Sequence, residues 1–254
     1  MPEHFSYILS FPSAAQQDIN MKRIAIVEDE KSIRENYADL MNKQGYQVDT
    51  YANRLTAIAA FEIRLPDLAI IDIGLGNEYE GGFTLCQALR QLSQSVPIIF
   101  LTARDNDFDT ISGLRMGADD YLSKDIGLEH LMVRISALFR RIDLQQKPTD
   151  QKRILTRGLL SIDNDKMQIC WTGQSLDFTV TEFWIVHALA NRPGIVRNRQ
   201  QLMQDARMVV DDNTITSHIK RIRKKFLCLD ANFNEITALY GMGYRWDISA
   251  EANA

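Results

Sequence analysis

The chain has 254 residues, 45% hydrophobic and 24% charged, with a net charge of −4, a balance that excludes the disordered and low-complexity classes. No apolar run approaches the roughly 18 to 20 residues of a membrane span, and Cys86, Cys170 and Cys228 lack the spacing of a disulfide framework or a zinc site. Length alone predicts about two domains, and residues 1–151 carry a charge of −7 against +4 for residues 152–247, so each half is expected to have its own partner.

Residues 1–20 hold one short apolar segment, Tyr7 to Phe11, with no basic stretch before it, so no secretory signal is predicted. They are expected to be an extension that is disordered or, with Met21 as the start, not translated. From Met21 strands and helices alternate. Ile24 to Val27 reads as a buried strand, Glu30 to Lys43 as a helix stopped by Gly45, and Tyr46 to Tyr51 as a second strand. A helix from Asn53 to Ile63 is followed by Pro66, strand Leu68 to Ile71, helix Gly82 to Leu92, and Pro97 before strand Ile98 to Leu101. Helix Asp105 to Met116, strand Tyr121 to Leu122 and helix Leu128 to Arg141 complete five β/α units. Such regular alternation predicts an α/β doubly wound, five-stranded parallel sheet.

Residues 144–153 contain QQKPTDQK and read as an exposed linker, which sets the domains at 21–143 and 154–248 with a tail at 249–254. Beyond the linker the pattern changes. Gly158 to Asp163 and Met167 to Asp177 read as antiparallel strands, with a turn at Trp171-Thr172-Gly173-Gln174. Thr179 and Glu182 form a T-x-x-E capping box opening the helix TVTEFWIVHALAN, which Pro193-Gly194 stops. Helices Arg199 to Asp205 and Asn213 to Leu227 and a hairpin from Ile236 to Trp246 around Gly241-Met242-Gly243 complete a winged helix-turn-helix.

Four apolar strands in the first half end on reactive residues: Glu28 and Asp29, Asp72, Thr102, and Lys124. Parallel neighbours bring these ends to one sheet edge, where open α/β sheets place their ligands. Clustered carboxylates repel one another and must hold protons or a cation, and oxygen-only ligation suits Mg²⁺. An aspartate beside such a metal can accept a phosphoryl group as an acyl phosphate, with Thr102 and Lys124 donating to the phosphoryl oxygens. In the second half, DNTITSHIKRIRKKF puts Ile215, Ile219, Ile222 and Phe226 on one stripe, which leaves Thr214, Ser217, Lys220, Arg221, Lys224 and Lys225 largely outside it, ready for a DNA groove.

With these motifs in order, and with LTAR and GADDYLSK around them, residues 21–143 resemble the flavodoxin-like receiver domain of bacterial response regulators. Residues 154–247 resemble the winged-helix effector of the OmpR/PhoB subfamily, and the glycine-rich loop after Asp72 looks more loosely like regulators of proteobacterial dedicated sortase systems. The resemblance implies a cytoplasmic two-component regulator, phosphorylated by a sensor histidine kinase and binding double-stranded DNA to control transcription. It makes Asp72 the phosphoacceptor; Glu28, Asp29, Asp72 and the Gly74 carbonyl the Mg²⁺ ligands; Thr102, Ala103 and Lys124 the phosphoryl-binding groups; and Tyr121 the aromatic switch. It implies a homodimer on phosphorylation through Asp119, Asp120, Arg134 and Arg141, although Thr110 and His130 stand where a further arginine–glutamate pair is usual. DNA contacts are expected from Arg199, Thr214, Thr216, Ser217, His218, Lys220, Arg221, Arg223, Lys224, Tyr240, Tyr244 and Arg245. RNA polymerase is a further partner in the family, but the loop from Met203 to Asp212 is short and lacks the usual tryptophan.

The sequence departs from the pattern in three places. Gly76 replaces a proline and about two extra residues precede Gly82; Asp125 replaces the proline after Lys124, leaving open a cis bond or a trans bond with a shifted loop; and Tyr240 replaces an arginine before the wing's G-x-G. The alternative function is a phosphorylation-independent DNA-binding regulator whose receiver serves as a dimerisation module. An aspartyl-phosphate phosphatase ranks third, because Gly74 stands where a second acid is needed.

Overall fold

The computed structural model describes residues 21–103, 113, 116–143, 154–205 and 212–247. The first unit contains β1 (Arg23–Val27), α1 (Lys31–Lys43), β2 (Gln47–Tyr51), α2 (Arg54–Ile63), β3 (Leu68–Ile71), α3 (Gly81–Leu92), β4 (Ile98–Thr102), β5 (Asp120–Ser123) and α4 (Leu128–Asp143). Its five strands are all parallel, in the order β2-β1-β3-β4-β5. The helix expected over Asp105–Met116 falls largely outside the described residues, as do residues 1–20, the linker, the tail and most of the loop from Met203 to Asp212.

Side-chain alternation builds a layer on each face of the sheet. Ile24, Ile26 and Ile70 face Tyr37 and Met41 of α1 and Leu131 and Ile135 of α4. The intervening Ala25, Val27, Ala69 and Ile71 face Ala57 and Phe61 of α2 and Phe83 and Leu89 of α3. Strands buried on both faces must be apolar throughout, which is why IAIV and LAII read as unbroken runs. The register pairs Val27 with Ile71 and Ile71 with Phe100, so Glu28 and Asp72 leave the sheet at the same level. Because β1 lies between β2 and β3, Glu28 and Asp72 flank a topological switch point.

The glycine-rich loop after Asp72 is ordered by its own short hairpin. Leu75 and Glu78 bridge, Gly76 takes the left-handed φ of 64° that the turn requires, and Glu78 accepts from Arg54 Nε at 2.6 Å. At Gly82 a Cβ would collide with the Asp72 carbonyl, and its N–H donates to Ile73 O at 2.8 Å. Glycine there lets the loop close back onto the residue it presents.

The second unit contains β6 (Ile154–Arg157), β7 (Leu160–Asp163), β8 (Gln168–Trp171), β9 (Gln174–Leu176), α5 (Val180–Ala190), α6 (Arg199–Asp205), α7 (Asp212–Leu229), β10 (Ile236–Leu239) and β11 (Gly243–Trp246). Strands β6 to β9 form an antiparallel sheet, and β10–β11 is the wing. Thr172 and Gly173, at φ 51° and 81°, make the two-residue turn between β8 and β9. The capping box of α5 is present in full: Thr179 accepts from the Glu182 N–H and Glu182 accepts from the Thr179 N–H. An aromatic cluster closes the core, with Phe226 stacked on Phe233 at 4.2 Å and both packed against Trp171 and Trp246. Strand β6 was not expected from the sequence, which placed no element between the linker and Gly158; only its alternate residues, Leu155 and Arg157, are half-buried.

Candidate functional site

At the carboxyl edge of the parallel sheet the Lys124 ammonium lies 2.7 Å from both Asp72 Oδ2 and Glu28 Oε2. The other Asp72 oxygen accepts from the Ile73 N–H at 2.7 Å, and the Asp72 N–H is fixed to Val27 O at 2.9 Å. Carboxylate oxygens of Glu28, Asp29 and Asp72 all come within 4.8 Å of one another, Glu28 and Asp72 being buried and Asp29 exposed. Burial, reinforced by the Asp72 charge, raises the Glu28 pKa despite its bond to Lys124. Burial pulls the Lys124 pKa down, but its two carboxylate partners outweigh that and the net shift is upward. One cation therefore serves two acids, and a further positive charge would be welcome.

Thr102, the last residue of β4, is buried beside this edge, and its carbonyl accepts the Lys124 N–H at 2.8 Å. Ala103 follows and is exposed, and Gly74 is half-buried in the loop after Asp72. Tyr121 is buried against Phe100, their ring centroids 6.2 Å apart. No described peptide bond is cis, so Lys124–Asp125 is trans, and Ser123 Oγ accepts the Asp125 N–H at 3.3 Å. Of the two geometries the sequence left open, the trans bond is the one adopted. Arg34 was missed: from the first turns of α1 it donates to Glu28 O at 2.6 Å and Asp29 O at 3.1 Å, steadying the acidic loop. A lone arginine six residues after Glu28 was the only trace of this in the sequence.

Asp120 and Arg134 pair at 3.5 Å within the chain, while the side chain of Arg141 lies outside the described residues. Asp119 is fully buried and accepts from Arg90 Nη2 at 2.8 Å, the Ile98 N–H at 3.0 Å and the Thr181 N–H at 3.1 Å. This corrects the surface position expected for Asp119.

On α7 the buried stripe of Ile215, Ile219, Ile222 and Phe226 is as expected. Its flank is not. Thr214, Ser217 and His218 are buried and Arg221 and Lys225 both pair with the buried Glu182, where the sequence had placed most of these five outside, although Ser217 and Arg221 still line the groove beside the wing. The turn of α7 toward the α5 N-terminus causes this, a tertiary fact that helical periodicity does not encode. Thr216, Lys220 and Lys224 stay exposed, and Arg223 donates twice to Ile236 O, at 3.1 and 2.7 Å. A groove of about 970 Å³ between α7 and the wing is lined by Thr216, Ser217, Lys220, Arg221, Arg223 and Lys224 of α7 and by Ala238 and Tyr244 of the wing, among others. Tyr244 is buried and donates its hydroxyl to Thr216 Oγ1 at 3.3 Å, which ties wing to helix. Tyr240 stands fully exposed at the wing tip, Arg245 is tied to Asp247, and Arg199 is exposed at the start of α6.

Residues 24–136 match the family described as response regulator receiver domain, and residues 173–246 match that described as transcriptional regulatory protein, C terminal. The chain is 35% identical to the transcriptional regulatory protein BaeR of Escherichia coli O6:H1 over 92% of this chain and 96% of that one. It is 33% identical to the transcriptional regulatory protein CreB of Escherichia coli K12 over 86% of this chain and 95% of that one. A solved structure of a RitR mutant shares the fold with a TM-score of 0.69 at 22% identity, over 90% of this chain and 100% of that one.

Proposed function

We propose that this chain, which belongs to the OmpR/PhoB-type response regulators of two-component systems, is switched by phosphorylation of Asp72. The family regulates transcription by binding DNA, and it is not an enzyme family. The supporting observation is the ammonium of Lys124 held 2.7 Å from both Asp72 and Glu28 at a switch point of the sheet. In the reaction, a carboxylate oxygen of Asp72 attacks the phosphorus of a phosphohistidine on the kinase; the P–N bond breaks and the imidazole leaves with the electron pair. The acyl phosphate that forms takes hydrogen bonds from the Thr102 hydroxyl, the Ala103 N–H and Lys124.

The hard oxygen donors of Glu28, Asp29, Asp72 and the Gly74 carbonyl fit Mg²⁺, which would neutralise charge on the transferred group. Lys124, whose ammonium lies 2.7 Å from Asp72 Oδ2, is placed to donate to the oxygens of a phosphoryl group on Asp72.

On the effector, Thr216, Lys220 and Lys224 face the DNA major groove, Arg199 holds backbone phosphate, and Tyr240 at the wing tip meets the duplex without a charge. The protein works in the cytoplasm as a phosphorylation-dependent homodimer using Asp120, Arg134 and Arg141, and its units are 21–143 and 154–248 joined by 144–153. Incubation with phosphoramidate and Mg²⁺ tests the reading: intact mass is expected to show one phosphoryl group on wild type and none on Asp72→Asn. Equal uptake by the variant, or no uptake by wild type, contradicts it. Alanine at Lys220 or Lys224 is expected to weaken duplex binding at all sequences and to lower the log–log salt slope by about 1.

A further inference from the structure

A surface helix normally sets polar residues opposite the face it packs on the core. Helix α2 does not. Its Ala57 and Phe61 are buried with Ala25, Val27 and Ile71 of the sheet. On the opposite side Leu55, Ala59 and Ile63, spaced i, i+4 and i+8, form one row along the helix, with Leu55 65% and Ile63 88% exposed. Leu65, two residues past the helix, is exposed as well. Apolar residues scattered singly over a surface are ordinary, whereas an aligned row marks a place of contact.

The chain enters the sheet at the end of this row. Arg23, the first residue of β1, donates from Nη2 to the Arg64 carbonyl at 2.7 Å and the Leu65 carbonyl at 2.6 Å, and its N–H donates to Asp67 Oδ2 at 2.7 Å. Met21, two residues earlier, is exposed. The chain that precedes it is therefore anchored where α2 ends.

That preceding chain contains Phe5-Ser6-Tyr7-Ile8-Leu9-Ser10-Phe11, five large apolar residues in seven positions. The eleven residues from Pro12 to Lys22 tether this segment to Arg23 and reach up to ~36 Å when extended. From Leu55 to Ile63 the α2 row is only ~12 Å long. The segment can thus fold back and cover all of it. A segment on so short a tether meets its site at an effective concentration on the order of mM, so a modest apolar contact suffices to hold it. A second copy of the chain at micromolar concentration lacks that advantage.

We propose that the Leu55–Ala59–Ile63 row of α2 is a docking surface for residues 5–11 of the same chain, which lie back along the helix from its C-terminal end. Photo-crosslinking in the full chain tests this. With p-benzoylphenylalanine in place of Tyr7, irradiation at micromolar protein is expected to give a monomeric adduct that peptide mass spectrometry maps to residues 55–65. Adding Ile63→Ser, at a solvent-facing position, is expected to cut the yield about fivefold by removing apolar contact. An adduct joining two chains assigns the row to a second copy, and an adduct elsewhere, or none, assigns it to a foreign partner; each overturns the proposal. Amide exchange gives a readout without a probe. Leu9→Asp is expected to speed exchange in α2 about threefold and to leave α4 unchanged, because only the covered helix loses protection. Unchanged exchange in α2, or equal acceleration in α4, contradicts docking on α2.

Discussion

Glu28 and Glu182 are both buried carboxylates bound to basic side chains, yet their pKa values move in opposite directions. Burial raises both. At Glu28 the basic partner, Lys124, is shared with Asp72, whose own charge adds to the upward push. At Glu182 the desolvation is overcome by two dedicated cations, Arg221 and Lys225, together with the Thr179 N–H, and the value falls to about 2. The first cluster is short of positive charge, which is what the proposed cation and phosphoryl site requires. The second is fully neutralised and holds α5, α7 and the receiver edge in one arrangement.

Removing the acid from the satisfied cluster should have the largest effect. Glu182→Ala strands Arg221 and Lys225 and deletes half of a capping box, so a loss on the order of 3–5 kcal/mol is expected in denaturant unfolding of the effector. A loss below about 1 kcal/mol would break the comparison. Acid titration comes next. His218 is depressed to about 3 by burial and by the neighbouring Arg221, and Glu182 lies near 2, so the native state takes up these protons later than the unfolded chain. The stability they contribute is complete above pH ~6.5, declines first through His218 as pH falls toward 3, and declines further through Glu182 below ~4.5. Melting temperatures recorded across that range should fall with acid, and His218→Gln should flatten the limb between pH 6.5 and 4.5.

The unsatisfied cluster should behave in the opposite sense. Glu28→Gln removes a carboxylate that repels Asp72, so unfolding of the receiver should change by less than about 1 kcal/mol while Mg²⁺ affinity, read by calorimetry, drops about tenfold. Smallest of all, Asp125→Ala should leave stability within about 0.5 kcal/mol, since Asp125 is exposed beyond the pocket; a larger change would show that its charge takes part in the pocket.

The acidic cluster was legible because parallel strands with continuous apolar runs must converge at one edge, so Glu28, Asp72, Thr102 and Lys124 announced their positions by ending those runs. The capping box of α5 was equally visible, since Thr179 and Glu182 are local in sequence. What the sequence hid was long-range. Nothing in SHIKRIR says that His218 and Arg221 turn toward a carbonyl about a hundred residues earlier, and Asp119 carries no sign that its partner is Thr181 in the other unit. Helical periodicity separates the apolar stripe from the rest of α7, but it does not tell which polar flank meets another unit and which meets solvent. The hairpin after Asp72 was hidden for another reason: its bridge between Leu75 and Glu78 is set by a glycine turn and by Arg54 from α2.

If the under-neutralised cluster directs phosphoryl transfer, it directs it to one carboxylate. Phosphorylated full chain, reduced with borohydride to convert an acyl phosphate to an alcohol and then mapped by peptide mass spectrometry, tests this most directly. Homoserine is expected at position 72 and at no other aspartate; modification at Asp29 or elsewhere, with position 72 unchanged, would contradict it.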